Sequence, residues 1–153
     1  MPIDVGQPAP DFTLKDQNNE DFTLSSCRGQ RAVLAVFYPF AFTGICTGEL
    51  CAIRDEKPIF AGDGIITVTI SCDAPYAQKV FAERDKFDFP LLSDFWPHGA
   101  VAQRYGVFNA EGGFANRGTF LIDIDGIVRF AEMNGAGRGR DPQVWRDAIA
   151  ELG

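Results

Sequence analysis

The chain reads as an α/β domain in which a central mixed sheet is flanked by helices, and three observations predict it. Apolar, β-branched runs of strand length stand at 32-AVLAVFY-38, 65-IITVTIS-71 and 119-TFLIDID-125. Segments of helical composition lie between them, giving the β-α-β-α order of strands joined by covering helices. Asp125-Gly126 then separates two strand-like runs, so the sheet ends in an antiparallel hairpin over 119–132.

Taken in chain order, 12-FTLKDQNNEDFTL-24 places two short strand-like runs around polar turn residues and predicts an N-terminal β-hairpin. The runs 32–38 and 65–71 are apolar throughout, the pattern of strands buried on both faces. Between them 45-ICTGELCAIRDEK-57 is helical in composition, and Pro58 disfavours helical geometry at Lys57. The segment 75-PYAQKVFAERDKF-87 has Pro at a first helical position, with Val80, Phe81 and Phe87 predicted as its recurring apolar face. Asp141 and Pro142 open 141-DPQVWRDAIAEL-152 as N-cap and first helical residue, predicting a terminal helix. At 153 residues, without a linker or repeat, residues 1–153 are expected to form a single domain.

The balance of charges narrows the partners. A net charge of -7 disfavours nucleic acid, whose binding rests on clustered positive charge. No basic, apolar leader opens the chain and no apolar run is long enough to span a bilayer, so a cytoplasmic protein is expected, with no membrane partner. In that compartment Cys27, Cys46, Cys51 and Cys72 are read as reduced thiols. Spacing argues against zinc, since there is no C-x2-C pair and His98 is the only histidine; no metal or cofactor is expected. The run 135-GAGRGR-140 suggests a nucleotide-binding glycine loop, but Arg140 replaces the last glycine and too little chain follows for a βαβ unit. DIDG at 123–126 lacks the spacing of a calcium loop and is explained as the hairpin turn.

One stretch carries chemistry: 38-YPFAFTGICTGELC-51. A helix beginning near Thr43-Gly44 puts the Cys46 sulfur in its first turn, where unpaired N–H groups and the helix dipole favour an anion. An ordinary thiol titrates at about 8.5, and such a site with a cation nearby lowers that to roughly 3.5–7.5. The alternative for Cys46 alone is a small buried hydrophobe.

Pro39, Thr43 and Cys46 stand as P-x3-T-x2-C directly after a buried strand. PFAFTGIC resembles the active-site signature of the peroxiredoxins, thiol peroxidases on a thioredoxin-like fold. The similarity runs from 6-GQPAPDFTL-14 through 90-PLLSDFWPHGAVAQRYGVFN-109 and 116-NRGTF-120 to 130-FAEM-133. Within the family, FYPFAFTGIC and SDFWPHGA resemble the AhpE-like branch of alkyl hydroperoxide reductases.

The resemblance implies a thiol peroxidase acting on hydrogen peroxide, organic hydroperoxides or peroxynitrite. It makes Cys46 the peroxidatic thiolate, Thr43 the hydroxyl that bonds thiolate and peroxide, and Pro39 the shield against water. Arg117 becomes the arginine that stabilises thiolate and transition state; without the family it reads as a solvated surface charge. For Glu49, one turn from Cys46, the resemblance implies orientation of the active-site arginine, beside the reading of a solvated or capping carboxylate.

Cys51 departs from the AhpE-like pattern. CTGELC resembles the bacterioferritin-comigratory, or PrxQ, group, which implies a resolving thiol. On an ideal helix five residues separate Cα atoms by ~8.6 Å, beyond the roughly 7 Å limit for a disulfide, so the first turns would have to unwind. A passive small hydrophobe stands beside that reading. Cys27 and Cys72 lack a motif and read as structural, with mixed disulfides as the sharper alternative.

The implied partners are a hydroperoxide, a thiol reductant (thioredoxin, or a mycoredoxin with mycothiol) and a second copy of the chain in a homodimer. Phe40 and Phe42 are compatible with organic hydroperoxides. A thioredoxin-type disulfide reductase would want C-x-x-C, and a Cys/His hydrolase would have to use His98. The remaining alternative is a redox sensor or holdase that oxidises Cys46 without turnover.

Overall fold

The structure, a computed structural model, describes residues 2–152. The strands are β1 (Thr13–Lys15), β2 (Asp21–Thr23), β3 (Ala32–Phe37), β4 (Ile65–Ser71), β5 (Leu91–Ser93), β6 (Phe108–Asn109), β7 (Phe114–Ala115), β8 (Arg117–Ile122) and β9 (Val128–Asn134). The helices are α1 (Gly44–Asp55), α2 (Lys57–Phe60), α3 (Pro75–Asp85), α4 (Ala100–Arg104) and α5 (Pro142–Glu151). Seven strands form one mixed sheet in the order β2-β1-β5-β4-β3-β8-β9, and β6 and β7 form a separate small hairpin. The β3–β4 and β4–β5 pairs are parallel, and β8 runs antiparallel to β3 and β9. A mixed, thioredoxin-like sheet with an N-terminal hairpin is what the strand pattern and the resemblance predict.

Every residue of β3 is buried, and alternate side chains feed opposite cores. Val33, Ala35 and Phe37 join Phe12, Tyr105 and Phe120 on one face, closed by α4 and the N-terminal segment. Leu34 and Val36, followed by Tyr38, join Leu50, Phe60, Phe81 and Trp145 on the other, closed by α1, α2, α3 and α5. The three parallel strands therefore end together, and the loop after β3 runs straight into α1 at that edge. Such carboxyl ends are where open α/β sheets hold their sites.

Several expectations need correction. Lys57 is helical: the break falls at Glu56 (φ -120°, ψ 45°), and Pro58 sits in the opening turn of α2, where its missing N–H costs nothing. The buried face of α3 is Gln78, Phe81 and Ala82, while Val80 is 59% exposed. Phe87 is buried, but beyond the helix, after Lys86 has ended it in a left-handed conformation. The third run begins earlier than its apolar composition suggested, since Arg117 and Gly118 already pair with β9. Asp141 caps α5 as expected, accepting the Gln143 N–H at 2.9 Å. Among the described residues, no helix is long and apolar enough to cross a membrane.

Candidate active site

The loop between β3 and α1 builds the site. Tyr38 and Pro39 are buried where β3 ends. Phe42 then takes a left-handed backbone (φ 70°), its ring 5.1 Å from that of Phe81 and 5.0 Å from the Arg84 guanidinium carbon. Thr43 is the N-cap residue of α1, with extended backbone, but its side chain does not cap the helix. Its hydroxyl donates instead to the Phe40 carbonyl at 3.0 Å.

The helix ladder opens with the Thr47 N–H on the Thr43 carbonyl at 2.9 Å. Cys46 lies in this first turn, a free thiol with 0% exposure. The N–H groups of Gly44, Ile45 and Cys46 come before the first bond of the ladder, so the positive end of α1 is directed at the sulfur's turn. Cys46, Glu49, Leu50 and Ile53 form the buried face of the helix.

Glu49, one turn on, is buried rather than a solvated or capping carboxylate. Its Oε1 accepts Arg117 Nη1 and Arg140 Nη2, each at 2.7 Å. Its Oε2 accepts the Arg140 backbone N–H and Nε, each at 2.9 Å. Arg117 thus reaches α1 from the head of β8 across 68 residues of sequence. It is 2% exposed, and its Nε donates to the Ala136 carbonyl at 2.9 Å. Arg117 Nη2 engages no protein group among the described residues.

Arg140 is the residue that the sequence analysis missed. Besides Glu49, its Nη1 donates to the Gly118 carbonyl at 3.0 Å and Thr119 Oγ1 at 2.9 Å, and its guanidinium lies 5.5 Å from the Trp145 ring. Where it was noted only as the residue that spoils a glycine loop, it is the second cation of a buried cluster. Two guanidiniums against one carboxylate leave one unit of positive charge behind α1. The available signal was an arginine directly before the Asp141-Pro142 helix start, with no acidic residue in its own glycine-rich run.

The other thiols differ. Cys51 is half-buried in the same unbroken helix as Cys46 and packs against the same core. Burial pushes its pKa up, with the Arg54 charge opposing and Asp85 and Asp55 adding to the rise. Cys72, buried at the end of β4, is pushed up to about 12 by burial and then by the charges of Asp94 and Asp73. Cys27 is buried in the opposite core. His98 lies in the turn before α4, its Nε2 2.6 Å from the Gly113 carbonyl. The described residues contain no cluster of three or more His, Cys, Asp or Glu able to hold a metal ion.

A buried thiol at the head of the helix that follows a central strand, backed by an arginine held on a carboxylate, defines a thiol oxidoreductase of thioredoxin-like fold. Residues 5–131 match the AhpC/TSA family, and the chain belongs to it; it is a peroxiredoxin. It is 55% identical over 150 residues to alkyl hydroperoxide reductase E of Mycobacterium tuberculosis strain H37Rv, covering 98% of each chain. Peroxiredoxin Bcp of Escherichia coli K12 is 37% identical over 133 residues, 83% of each. The crystal structure of peroxidoxin BcpB from Mycobacterium tuberculosis matches with a TM-score of 0.85 at 35% identity, covering 98% of this chain and 96% of that one.

Proposed function

We propose that this chain is a thiol-dependent peroxidase in which the Cys46 thiolate reduces hydrogen peroxide, organic hydroperoxides or peroxynitrite. One observation carries the reading: a fully buried free thiol in the first turn of α1, with Arg117 pinned to that helix by Glu49 and its Nη2 left unengaged. The thiolate attacks one peroxide oxygen and the O–O bond breaks. Sulfur is oxidised to a sulfenic acid, and the other oxygen leaves, after taking a proton, as water from hydrogen peroxide or as alcohol from an organic hydroperoxide, and as nitrite from peroxynitrite.

Each neighbour has a part. Arg117 and the N–H groups of the turn face charge that grows as the bond breaks, which lowers the barrier more than it aids binding. Thr43 has donated its one proton to Phe40 and so does not donate to the thiolate as the resemblance implied; its remaining lone pairs accept the peroxide O–H. Pro39, buried and without an N–H, keeps water from the sulfur. Glu49 orients Arg117. Arg140 is engaged at Nε, Nη1 and Nη2 and therefore holds Glu49 rather than substrate.

The sulfenic acid is resolved by Cys51 or by an external thiol, with loss of water and formation of a disulfide. Thioredoxin, or a mycoredoxin with mycothiol, then restores Cys46. We read the protein as a single cytoplasmic domain that forms a homodimer. Phe95 (50% exposed) and Trp96 (80%) of the SDFWPHGA segment leave apolar surface, as does Phe40 (44%), whose ring lies tilted against that of Phe114 at 5.2 Å.

The test has two arms. Wild-type protein with a thiol reductant should consume peroxide catalytically, and Cys46→Ser should fall to the uncatalysed background. Retention of most activity would remove Cys46 from the reaction, and slow stoichiometric oxidation with a change in oligomeric mass would favour the sensor or holdase. Peptide-mapped mass spectrometry after one equivalent of peroxide then separates a Cys46–Cys51 disulfide from a persisting Cys46 sulfenic acid.

A further inference from the structure

A line of buried polar groups leads from the α3 side of the sheet into the loop that carries Pro39 and Thr43. Asp73 Oδ2 accepts the Ala41 N–H at 2.9 Å and the Ser71 hydroxyl at 2.7 Å. Having given its one proton away, Ser71 Oγ accepts Gln78 Nε2 at 2.7 Å. Gln78 Nε2 also donates to the Leu92 carbonyl at 3.2 Å, which leaves Gln78 Oε1 to accept the Tyr38 hydroxyl at 2.6 Å. Tyr38, Ser71 and Gln78 are all 0% exposed.

The direction of every bond follows from the Gln78 amide. The Gln78 Nε2 can only donate, so Ser71 Oγ accepts it and gives its own proton to Asp73, and Gln78 Oε1 can only accept, so Tyr38 donates to it. Four elements meet there: the chain leaving β3, the end of β4, β5 and α3. Each buried polar group is satisfied within the line, and Ala41 is where it reaches the loop.

Ala41 lies midway between Pro39 and Thr43. The next residue, Phe42, holds a left-handed backbone that a bulky side chain avoids, so the loop needs restraint on both sides. The Thr43 bond to Phe40 spans Ala41, the ring of Phe42 on Phe81 acts after it, and the Asp73 bond acts at it. Asp73 touches none of the reacting groups already described.

Resting on the peroxidase reading, we propose that Asp73 is a positioning residue: its carboxylate fixes the Ala41 N–H and through it sets Pro39 and Thr43 around Cys46. The role is the accepted hydrogen bond and not the charge, since a carboxylate near an anionic sulfur is otherwise unfavourable.

Asp73→Ala should lower the second-order rate constant for peroxide by roughly tenfold or more, since small misplacements of positioned groups cost on that order. Alkylation of Cys46 by iodoacetamide, which needs the thiolate and access to it but no peroxide alignment, should hold or rise, because a looser 39–43 segment exposes the buried sulfur. Asp73→Asn keeps an acceptor for Ala41 and should recover most of the peroxide rate. A peroxide rate unchanged in Asp73→Ala, or peroxide and alkylation rates falling together, would overturn the assignment. If Asp73→Ala does not fold, Asp73→Glu keeps the charge but moves the acceptor by one methylene; the same peroxide-selective loss is expected, and a wild-type rate overturns the idea.

Amide exchange judges the loop apart from activity. In Asp73→Ala the 39–43 segment should exchange faster while β4 and α3 keep their protection, and unchanged exchange at 39–43 would sink the anchor. The wild-type peroxide rate tests the peroxidase reading alone. The ratio of variant to wild type and the exchange pattern test this one.

Discussion

Glu49→Gln is the sharpest probe of the buried charge cluster. The carboxylate is 4% exposed and takes four hydrogen bonds, two on each oxygen. Glutamine is nearly the same shape, but one oxygen becomes an NH2 group. Either orientation points that amide at two donors: Arg117 Nη1 with Arg140 Nη2, or Arg140 N with Arg140 Nε. Two guanidiniums are then left buried without a counter-charge. Breaking a buried ion pair from one side costs about 3–5 kcal/mol. For a chain of this length each kcal/mol moves Tm by roughly 2–4 °C, so a fall of about 6–20 °C is expected in thermal unfolding. With the amide on the first side Arg117 keeps only its bond to Ala136, and with it on the second Arg117 keeps an acceptor that no longer carries a charge. Losing one well-aimed donor costs about 10²–10³ in rate, and a misdirected one should cost part of that. Single-turnover reduction of a hydroperoxide should therefore slow by about tenfold to a hundredfold at a temperature where the variant is folded. A Tm within about 3 °C of wild type together with an unchanged rate would refute the claim that Glu49 neutralises and aims these arginines.

Other expectations follow from the same geometry. Arg117→Ala should slow peroxide reduction by roughly 10²–10³ yet lose less stability than Glu49→Gln, because Arg140 still binds both oxygens of Glu49; stopped-flow rates and melting curves read the two quantities separately. Cys72 should resist alkylation in the folded protein at pH 8, whereas Cys51, half-buried, should react; peptide mapping decides. Because the Cys72 pKa is raised from 9.0 to about 12, the folded state holds that proton more tightly than the unfolded chain. Its contribution to stability is then present below pH 9 and lost as pH rises from about 9 toward 12. Denaturant titrations of wild type and Cys72→Ala across that range should converge as pH rises, and a constant difference would count against the shift.

How much could be read beforehand depended on the range of the interaction. β3 and β4 are buried on both faces, so their uniform apolar runs declare them. The placement of Cys46 in the first turn of α1 is legible for a related reason, since strand end, turn and helix start are contiguous, whereas the role of Thr43 came from family resemblance. β5 is different. Its three residues become a strand by pairing with 69–71 of β4 and through Lys15 of β1, which no local propensity encodes. On α3 the apolar pattern misled, because Gln78 is buried by a hydrogen-bonded line that satisfies its amide while Val80 faces water. Arg117 entered through family resemblance alone, since its partner Glu49 lies 68 residues away. Arg140, 91 residues from Glu49, had no such guide.

The two steps of the proposed cycle make opposite demands on α1. Peroxide attack, as proposed, uses the helix wound from Gly44, with its first N–H groups in the turn of Cys46 and Arg117 held on Glu49 one turn on. The same winding sets Cys46 and Cys51 ~8.6 Å apart at Cα on an ideal helix, too far to bridge. An external thiol gains nothing from the wound state either, for Cys46 is 0% exposed. In the proposed cycle both routes call for an opening at 40–46, against the bonds of Ala41 to Asp73 and Thr43 to Phe40 and the packing of Phe42 on Phe81 and Arg84. What distinguishes them is which thiol arrives first. Cys51 is close but its pKa is raised by burial, while a reductant's thiol must diffuse in. Raising the pH should thus speed disulfide formation within the chain if Cys51 resolves, with no external thiol present. A sulfenic acid that persists under those conditions assigns resolution to the external thiol.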